Sequence, residues 1–227
     1  MVAVTPSSQV VGIDPAPAYV AYARSQQSGA RVRFEEGDAR QLRFETGSFD
    51  RTLSLLVMNF IPDPAAAVRE MARVTRPGGT VAAAVWDYGQ GMEMLRLFWD
   101  EVVKFIPAAE ALDERHMPLS RQGELAALWR QHRFDDVSEE ALTIETRFDS
   151  FDDYWSPFLE GQGPAGGYVQ TLSDRQREQL RLRLRARLLD GRPDGPIVLR
   201  ARAWAVRGAV PQRGVASSVR RDAGHSR

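Results

Sequence analysis

The chain of 227 residues is long enough to bury one hydrophobic core, and its 43% hydrophobic and 26% charged residues are typical of a soluble globular protein. Its 30 basic and 30 acidic residues cancel, so no net charge attracts it to nucleic acid or anionic lipid. It has no cysteine, which excludes disulfides, thiolate metal sites and a cysteine nucleophile. The start, MVAVTPSS, lacks the features of a signal peptide, and no apolar run reaches the length of a membrane span. We therefore expect a cytoplasmic protein.

The first part of the chain alternates short apolar runs with helical periods, which predicts parallel strands linked by crossover helices. The predicted strands are QVVGID, RVRFEEGDA, SFDRTLSLLVMNF and TVAAAVWDY. The third strand is nearly all apolar, as expected of a strand buried on both faces.

Two helices are predicted between these strands. The first places Tyr19, Val20, Tyr22 and Ala23 on one face and ends at Gly29 as C-cap. The second begins with Asp63 as N-cap and Pro64 at the first helical position. Its apolar stripe consists of Val68, Met71, Ala72 and Val74, and Pro77-Gly78-Gly79 then forms a turn. The predicted order is β-α-β-β-α-β.

After Tyr88 the pattern becomes helical and aromatic. GMEMLRLFWDEVVKFI and GELAALWRQHRF are predicted helices, whereas DSFDDYWSPFLEGQGPAGGYV, with two glycine-rich breaks, is predicted to be a loop or lid. SDRQREQLRLRLRARLL opens with capping-box spacing at Ser173 and Gln176, although its LRLRLRAR core is equally compatible with a strand. GPIVLRARAWAVRG alternates as a final strand, and the remainder has no periodicity.

Four segments of the chain together carry a family resemblance. They are VVGID at 10–14, EEGDA at 35–39, SFDRTLSLLVMNFIPDP at 48–64 and REMARVTRPGGTV at 69–81. This constellation resembles the class I S-adenosylmethionine-dependent methyltransferases over residues 10–88, and GPIVLRARAWAVRG is similar to the family's closing hairpin. The resemblance implies an α/β, Rossmann-like sheet with a helical, aromatic insertion before the last strands.

The same resemblance implies a division of the chain. Residues 1–88 are expected to form an incomplete cofactor-binding core, and residues 89–172 a substrate-side insertion. Residues 173–208 are expected to supply the closing helix and strand, followed by a disordered tail at 209–227.

By this resemblance the cofactor is S-adenosylmethionine. Asp14, at the end of a strand, would accept hydrogen bonds from both ribose hydroxyls, which suits a carboxylate because it is a bidentate acceptor. Asp38 would bind the adenine amino group, with the backbone N–H of Ala39 beside it. Pro15 and Leu56 would sandwich the adenine ring. Asp14 and Asp38 could also be simple turn or helix caps.

A glycine-rich loop is not found where the family carries it. In such folds that loop follows the first strand, and the ribose acid comes about 20 residues later. Only thirteen residues precede Asp14 here, and none before Gly12 is glycine. We therefore expect the chain to lack the family's first strand and glycine loop, through a start site assigned too far downstream or a truncated gene.

The expected activity is methyl transfer to a small molecule. Seven side chains indicate an apolar or aromatic acceptor, although core packing explains at least half of them equally well: Trp86, Tyr88, Met92, Trp99, Tyr154, Trp155 and Phe158. No metal is expected and no catalytic residue is identified, with His116 and His132 only as candidate bases.

Two alternatives stay open. One is a non-catalytic binding protein with a methyltransferase-like fold. The other is an NAD-dependent oxidoreductase, because Asp14 would bind the ribose of NAD equally well.

Overall fold

The computed structural model describes residues 8–26 and 29–212. The strands and helices of these residues follow one another along the chain as β1 (Val10–Asp14), α1 (Pro17–Ser25), β2 (Val32–Glu36), β3 (Phe49–Leu55), α2 (Pro64–Val74), β4 (Thr75–Trp86), α3 (Glu93–Phe105), α4 (Glu124–Gln131), β5 (Asp135–Phe148), α5 (Phe151–Leu159), α6 (Gly163–Thr171), α7 (Asp174–Leu189) and β6 (Ile197–Ala209). The predicted β-α-β-β-α-β order is confirmed for β1 to β4.

The strands form two sheets. The parallel strands β1 and β2 make a two-stranded sheet, and the other has the order β3-β4-β6-β5. In this larger sheet β3 and β4 are parallel, while β6 runs antiparallel to both of its neighbours. The mixed α/β fold class is therefore confirmed.

The strand β3 does not have the surroundings that its sequence predicts. It pairs only with β4 among the described residues, and Leu53 and Leu55 are 54% and 65% exposed. The prediction of a strand buried on both faces is therefore wrong for this structure. Since β3 is an edge strand with nothing packed over these side chains, its apolar sequence is not matched by burial.

Two apolar clusters form the core. One packs α2 and α4 on β4 and β6, and the predicted α2 stripe is confirmed because Val68, Met71 and Val74 are buried. The other lies between α3, α5, α6 and α7 and includes Leu180, Leu184 and Leu188. The capping box of Ser173 and Gln176 is present, so the helical alternative holds for α7.

The segment predicted to be a loop or lid is instead the helical pair α5 and α6, so that prediction is wrong. Phe151, Tyr154, Trp155 and Phe158 recur at helical spacing and are all buried. The hydroxyl of Ser150 accepts a hydrogen bond from the backbone N–H of Asp153 and so caps α5. The glycine-rich breaks correspond to the turn between the helices, where Gly161 and Gly163 have positive φ.

Three smaller features also differ from the predictions. Helix α1 ends at Ser25 with Gln26 as C-cap instead of Gly29, and of its predicted apolar face Val20 is buried while Tyr19 and Tyr22 are exposed. The Pro77-Gly78-Gly79 turn lies inside β4, where it makes a bulge opposite β3. Strand β5 was not predicted, because most of its side chains are exposed and its apolar alternation is interrupted by charges.

The remaining expectations about chain organisation stay predictions. Residues 1–7 and most of the predicted tail, 213–227, lie outside the described residues. The second edges of β1 and β3 are unpaired within the described residues, but whether a strand and a glycine loop are lacking is not tested by this structure. The four-part division of the chain is likewise a prediction.

Candidate functional site

The carboxyl ends of β1 and β2 place two of the predicted site residues at the same edge. Asp14 is in register with Glu36, and the backbone N–H of Gly37 donates to the Asp14 carbonyl at 3.1 Å. Asp38 follows Gly37 directly. Because ligands of open α/β sheets bind outside the carboxyl ends of the strands, Asp14 and Asp38 lie where such a ligand is expected.

One of the two Asp14 carboxylate oxygens accepts a hydrogen bond from the chain itself. Its Oδ1 accepts the backbone N–H of Ala16 at 2.8 Å, which shapes the turn into α1. Its Oδ2 makes no hydrogen bond with any residue that the structure describes, and the side chain is only partly buried. The neighbouring Pro15 is exposed. The alternative that Asp14 is a turn cap is thus correct for Oδ1. Oδ2 can still accept a hydrogen bond from a ligand.

Asp38 is paired with Arg40. The guanidinium donates to both carboxylate oxygens at 2.6 to 3.0 Å, and the backbone N–H of Arg40 adds a further bond at 2.8 Å. These hydrogen bonds, the side-chain ones first, lower the pKa of Asp38 below its ordinary value, so it is a carboxylate at neutral pH. A carboxylate has about four lone-pair positions, and the four contacts from Arg40 occupy them, so an adenine amino group would bind Asp38 in exchange for one of these contacts.

Ala39 and Leu56 offer backbone and apolar contacts at the same end of the strands. The backbone N–H of Ala39 has no acceptor among the described residues. Leu56 follows β3, takes a φ of 59° and donates its N–H to the Ala84 carbonyl at 2.8 Å. Since β1 and β3 belong to different sheets, no ladder sets the spacing between Pro15 and Leu56, and the adenine sandwich stays a prediction.

A buried polar group after β3 was missed by the sequence reasoning. Asn59 is 5% exposed, and neither its side-chain nitrogen nor its oxygen has a hydrogen-bond partner among the described residues. The available signal was its position in the apolar run LLVMNF, because an amide there has to be either paired or functional.

Tyr88 is a polar group near Asn59, and the charge of Glu114 acts on Tyr88. Burial, and then the charge of Glu114, raise the pKa of Tyr88 to about 12. The Asn59 side chain partly opposes this shift, although no hydrogen bond of acceptable geometry joins the two. Glu114 is 3% exposed and accepts the indole N–H of Trp99 at 2.8 Å. Burial raises the pKa of Glu114 above its ordinary value.

Four of the seven side chains that indicated an apolar or aromatic acceptor pack in one core cluster. Trp99, Tyr154, Trp155 and Phe158 are at most 3% exposed and belong to the cluster between α3 and α7. The Tyr154 hydroxyl donates to the Met94 carbonyl at 3.0 Å. Their burial explains these side chains without any ligand.

Neither predicted base has the surroundings of a catalytic histidine. His116 is half exposed, with its Nε2 at 3.4 Å from a Glu110 oxygen. The Nδ1 of His132 lies 2.9 Å from the Leu128 carbonyl at the end of α4.

Among the described residues no group of three His, Asp or Glu side chains is arranged to hold a metal, and no helix is long and apolar enough to cross a membrane.

The parallel strands with carboxylates at their tips, followed by a β4-β6-β5 closing unit, define the fold class as that of the Rossmann-like methyltransferases. Residues 2–83 match the family model described as a methyltransferase domain. A structure from Bacillus halodurans assigned as a methyltransferase has the same fold, with a TM-score of 0.56 at 15% identity over 90% of this chain and 84% of that one. The resemblance to class I S-adenosylmethionine-dependent methyltransferases is confirmed.

Two curated relatives match part of the chain. An uncharacterized protein of Mycobacterium tuberculosis is 33% identical over 89 residues, which is 37% of this chain and 32% of the relative. The ubiquinone/menaquinone biosynthesis C-methyltransferase of Bdellovibrio bacteriovorus is 39% identical over 67 residues, or 30% of this chain and 28% of the relative. The matched region thus spans about a third of the length of these curated relatives.

Proposed function

We propose that this protein is an S-adenosylmethionine-dependent methyltransferase that acts on a small molecule. The observation that carries the proposal is the pairing of β1 and β2, because the carboxylates of Asp14 and Asp38 follow the same ends of these two strands and Asp14 Oδ2 has no hydrogen-bond partner in the part of the chain that the structure describes. The methyltransferase-domain match of residues 2–83 and the C-methyltransferase relative support it.

The available groups fit the nucleoside part of the cofactor. Asp14 would accept the ribose hydroxyls, because a carboxylate is the strongest acceptor for two O–H donors. Asp38, in exchange for an Arg40 contact, would supply the acceptor for the adenine amino group, and the N–H of Ala39, which has no acceptor among the described residues, the donor for a ring nitrogen. Pro15 and Leu56 supply apolar surface for its faces. The bound cofactor supplies an electrophilic methyl group, and the chain's task is to position the acceptor.

Binding of S-adenosylhomocysteine by Asp14→Asn tests the proposal. Asparagine keeps the oxygen that accepts the Ala16 N–H, so the turn survives while the charge is lost. We expect the affinity measured by calorimetry to fall about tenfold, since bonds to a charged acceptor are stronger than neutral ones by about 1 kcal/mol. The matched control is Asp50→Asn, which changes an exposed carboxylate paired with Arg76 and should not alter the affinity.

The two other functions make different predictions in the same assay. If the wild-type chain binds neither S-adenosylmethionine nor S-adenosylhomocysteine, the proposal is wrong and a binding role for the fold is left. A ligand at a hundred times its dissociation constant stabilises a protein by about 2.7 kcal/mol, so thermal unfolding shows either result clearly. Stabilisation by NADH without stabilisation by S-adenosylmethionine would instead favour the oxidoreductase.

A further inference from the structure

The carboxylate expected to bind the adenine amino group is already occupied by a side chain of the same loop. The Nε of Arg40 lies 3.0 Å from each Asp38 oxygen, and its Nη2 lies 2.6 Å from Oδ2. The backbone N–H of Arg40 adds a bond to Oδ1 at 2.8 Å. Since these contacts fill the lone-pair positions of the carboxylate, an amino group has to displace part of the guanidinium before it can bind Asp38.

The loop that carries Asp38 does not depend on the guanidinium for its shape. The backbone N–H of Gln41 donates to the Asp38 carbonyl at 3.0 Å, and the bond from the Arg40 backbone N–H is separate from the side chain. Beyond Gln41, the backbone N–H of Leu42 donates to Glu70 of α2 at 2.8 Å. Main-chain bonds thus hold the loop on both sides of Arg40, so the guanidinium can move away while Asp38 stays in place.

The pair is exposed, so a ligand can replace it without a large loss of free energy. The side chains of Arg40 and Asp38 are 42% and 44% exposed, and water therefore solvates the guanidinium once it leaves. Exposed ion pairs shift an equilibrium by at most about fivefold. The pair of Asp113 and Arg96, whose side chains are buried, has no such access to water. The contact on Asp38 is thus strong enough to be measured and weak enough to be exchanged.

We propose that Arg40 competes with the adenine amino group for Asp38 and thereby sets both the affinity and the base selectivity of the cofactor site. This inference rests on the proposed function and adds a residue that regulates the same site. While Arg40 is paired, its positive charge offsets that of Asp38, which then discriminates little between bases. A carboxylate without this counter-charge attracts an amino group and repels a carbonyl oxygen at the same ring position. Weakening the pair therefore strengthens the preference for adenine.

Calorimetric titration of Arg40→Gln with S-adenosylhomocysteine tests the competition. Glutamine keeps the backbone N–H that bonds Asp38 but carries no charge. We expect the affinity to rise about threefold over that of the wild type, which lies within the range for an exposed ion pair. An unchanged or lower affinity overturns the inference, and a lower one would mean that the guanidinium orients Asp38 for the ligand.

Arg33→Gln is the matched control for this titration. Arg33 is also an exposed arginine two residues from its acidic partner, and its Nε lies 2.8 Å from a Glu35 oxygen. It belongs to β2, the strand that leads to Asp38. Because neither Arg33 nor Glu35 is part of the proposed site, this variant should bind S-adenosylhomocysteine with wild-type affinity. A rise equal to that of Arg40→Gln would assign the gain to a general loss of positive charge and overturn the inference.

The salt dependence of the same titration gives a second readout. The Debye length falls from about 10 Å at 0.1 M NaCl to about 3 Å at 1 M, so salt weakens an exposed ion pair. We expect the ratio of the Arg40→Gln affinity to the wild-type affinity to fall towards one at 1 M NaCl. Taking the ratio cancels the effects of salt on the ligand and on the rest of the site. A ratio above one that does not depend on salt overturns the inference.

S-Inosylhomocysteine tests the selectivity, because it carries a carbonyl oxygen where adenine has its amino group. We expect Arg40→Gln to bind this analogue no more tightly than the wild type does, while it binds S-adenosylhomocysteine more tightly. Equal gains for the two ligands would show that the loss of Arg40 opens the site without any exchange at Asp38. That result overturns the inference.

These outcomes separate the inference from the proposed function. If S-adenosylhomocysteine binds the wild type and Arg40→Gln equally at both salt concentrations, the function stands and the inference fails. If it binds neither protein, both fail. Thermal unfolding shows that Arg40→Gln is folded, which is expected because the exposed side chain belongs to neither apolar cluster.

Discussion

At the residue scale, Asp113 is a buried charge with several ion-pair and hydrogen-bond partners. Its side chain is fully buried and accepts bonds from Arg96 and Arg115 and from the Arg115 backbone N–H. Burial alone would raise the pKa of Asp113, but these hydrogen bonds and the charge of Arg96 outweigh burial and lower it. This carboxylate fixes the segment that carries Glu114 and Met117, which line a surface groove of about 220 Å³.

We expect Asp113→Asn to lower the free energy of unfolding at pH 7 by about 3 kcal/mol, because it leaves two arginines without their buried counter-charge. Chemical denaturation measures this loss. Asp100→Asn, in which the lost carboxylate is about a third exposed and pairs with Arg115 and Arg187, is the control and should cost less than about 1 kcal/mol. Equal losses in the two variants would show that burial of the Asp113 pair adds nothing.

The pH dependence of this loss has a defined sign. The folded-state pKa of Asp113 lies below its ordinary value of 3.8, so the carboxylate stabilises the fold above that pH. Its contribution disappears as the pH falls through the folded-state pKa. Repeating the denaturation between pH 7 and pH 3 should therefore show the difference between wild type and Asp113→Asn shrinking towards acid. A difference that grows in acid would contradict the assignment.

At the element scale, α5 and α6 show how glycines pack two helices closely. A Cβ on Gly166 of α6 would lie 2.8 Å from the backbone carbon of Gly161, in the turn between them, whereas a Cβ on Gly167 would meet open space. The glycine pattern that predicted a loop thus reflects close packing at one position and a turn at another. Spacing alone does not distinguish these cases from a flexible segment.

Gly166→Ala and Gly167→Ala form a matched pair that tests this packing. We expect Gly166→Ala to destabilise the protein by about 1–3 kcal/mol, since backbone has to move to admit the methyl group. Gly167→Ala should stabilise it by up to about 1 kcal/mol, because alanine is the better helix former and nothing obstructs it. Thermal unfolding of the two variants compares them, and shifts of the same sign would contradict the close approach.

At the scale of the whole molecule, the exposed apolar edge of β3 is the feature most at odds with an isolated soluble domain. Leu53 and Leu55 lie on one face of β3 and are 54% and 65% exposed, and Val57, just beyond the end of the strand, is 48% exposed. An edge strand without a partner among the described residues also leaves backbone donors and acceptors open to another chain. Apolar side chains and an open ladder together favour association through this edge.

The double variant Leu53→Lys and Leu55→Lys is expected to reduce that association, because charged side chains on an edge strand oppose pairing. Light scattering across a concentration series should show a wild-type mass that rises with concentration and a variant mass that stays at that of one chain, 25.4 kDa. Leu182→Lys, which changes an exposed leucine of α7, is the control. A wild-type mass that is independent of concentration would show that this edge does not self-associate.

Much of the part of the chain that contains β1 to β4 was determined by the sequence alone. The strands β1 to β4, the Asp63 cap of α2 and its apolar stripe depend on local period and capping, which act within a few residues. The positions of Asp14 and Asp38 at neighbouring strand ends follow from the same local pattern, since parallel strands joined by a crossover helix end at one edge.

Only the tertiary structure decided which apolar side chains are buried and which polar ones lack partners. The exposure of Leu53 and Leu55 depends on the neighbours of β3. The lack of a hydrogen bond to Asn59 among the described residues depends on distant groups such as Tyr88, 29 residues further along the chain. The helices α5 and α6 formed from a glycine-rich segment because their aromatic face packs on α3 and α7. Burial and pairing are properties of contacts between distant segments, so a local pattern such as the α2 stripe indicates which face is apolar but does not decide whether anything packs on it.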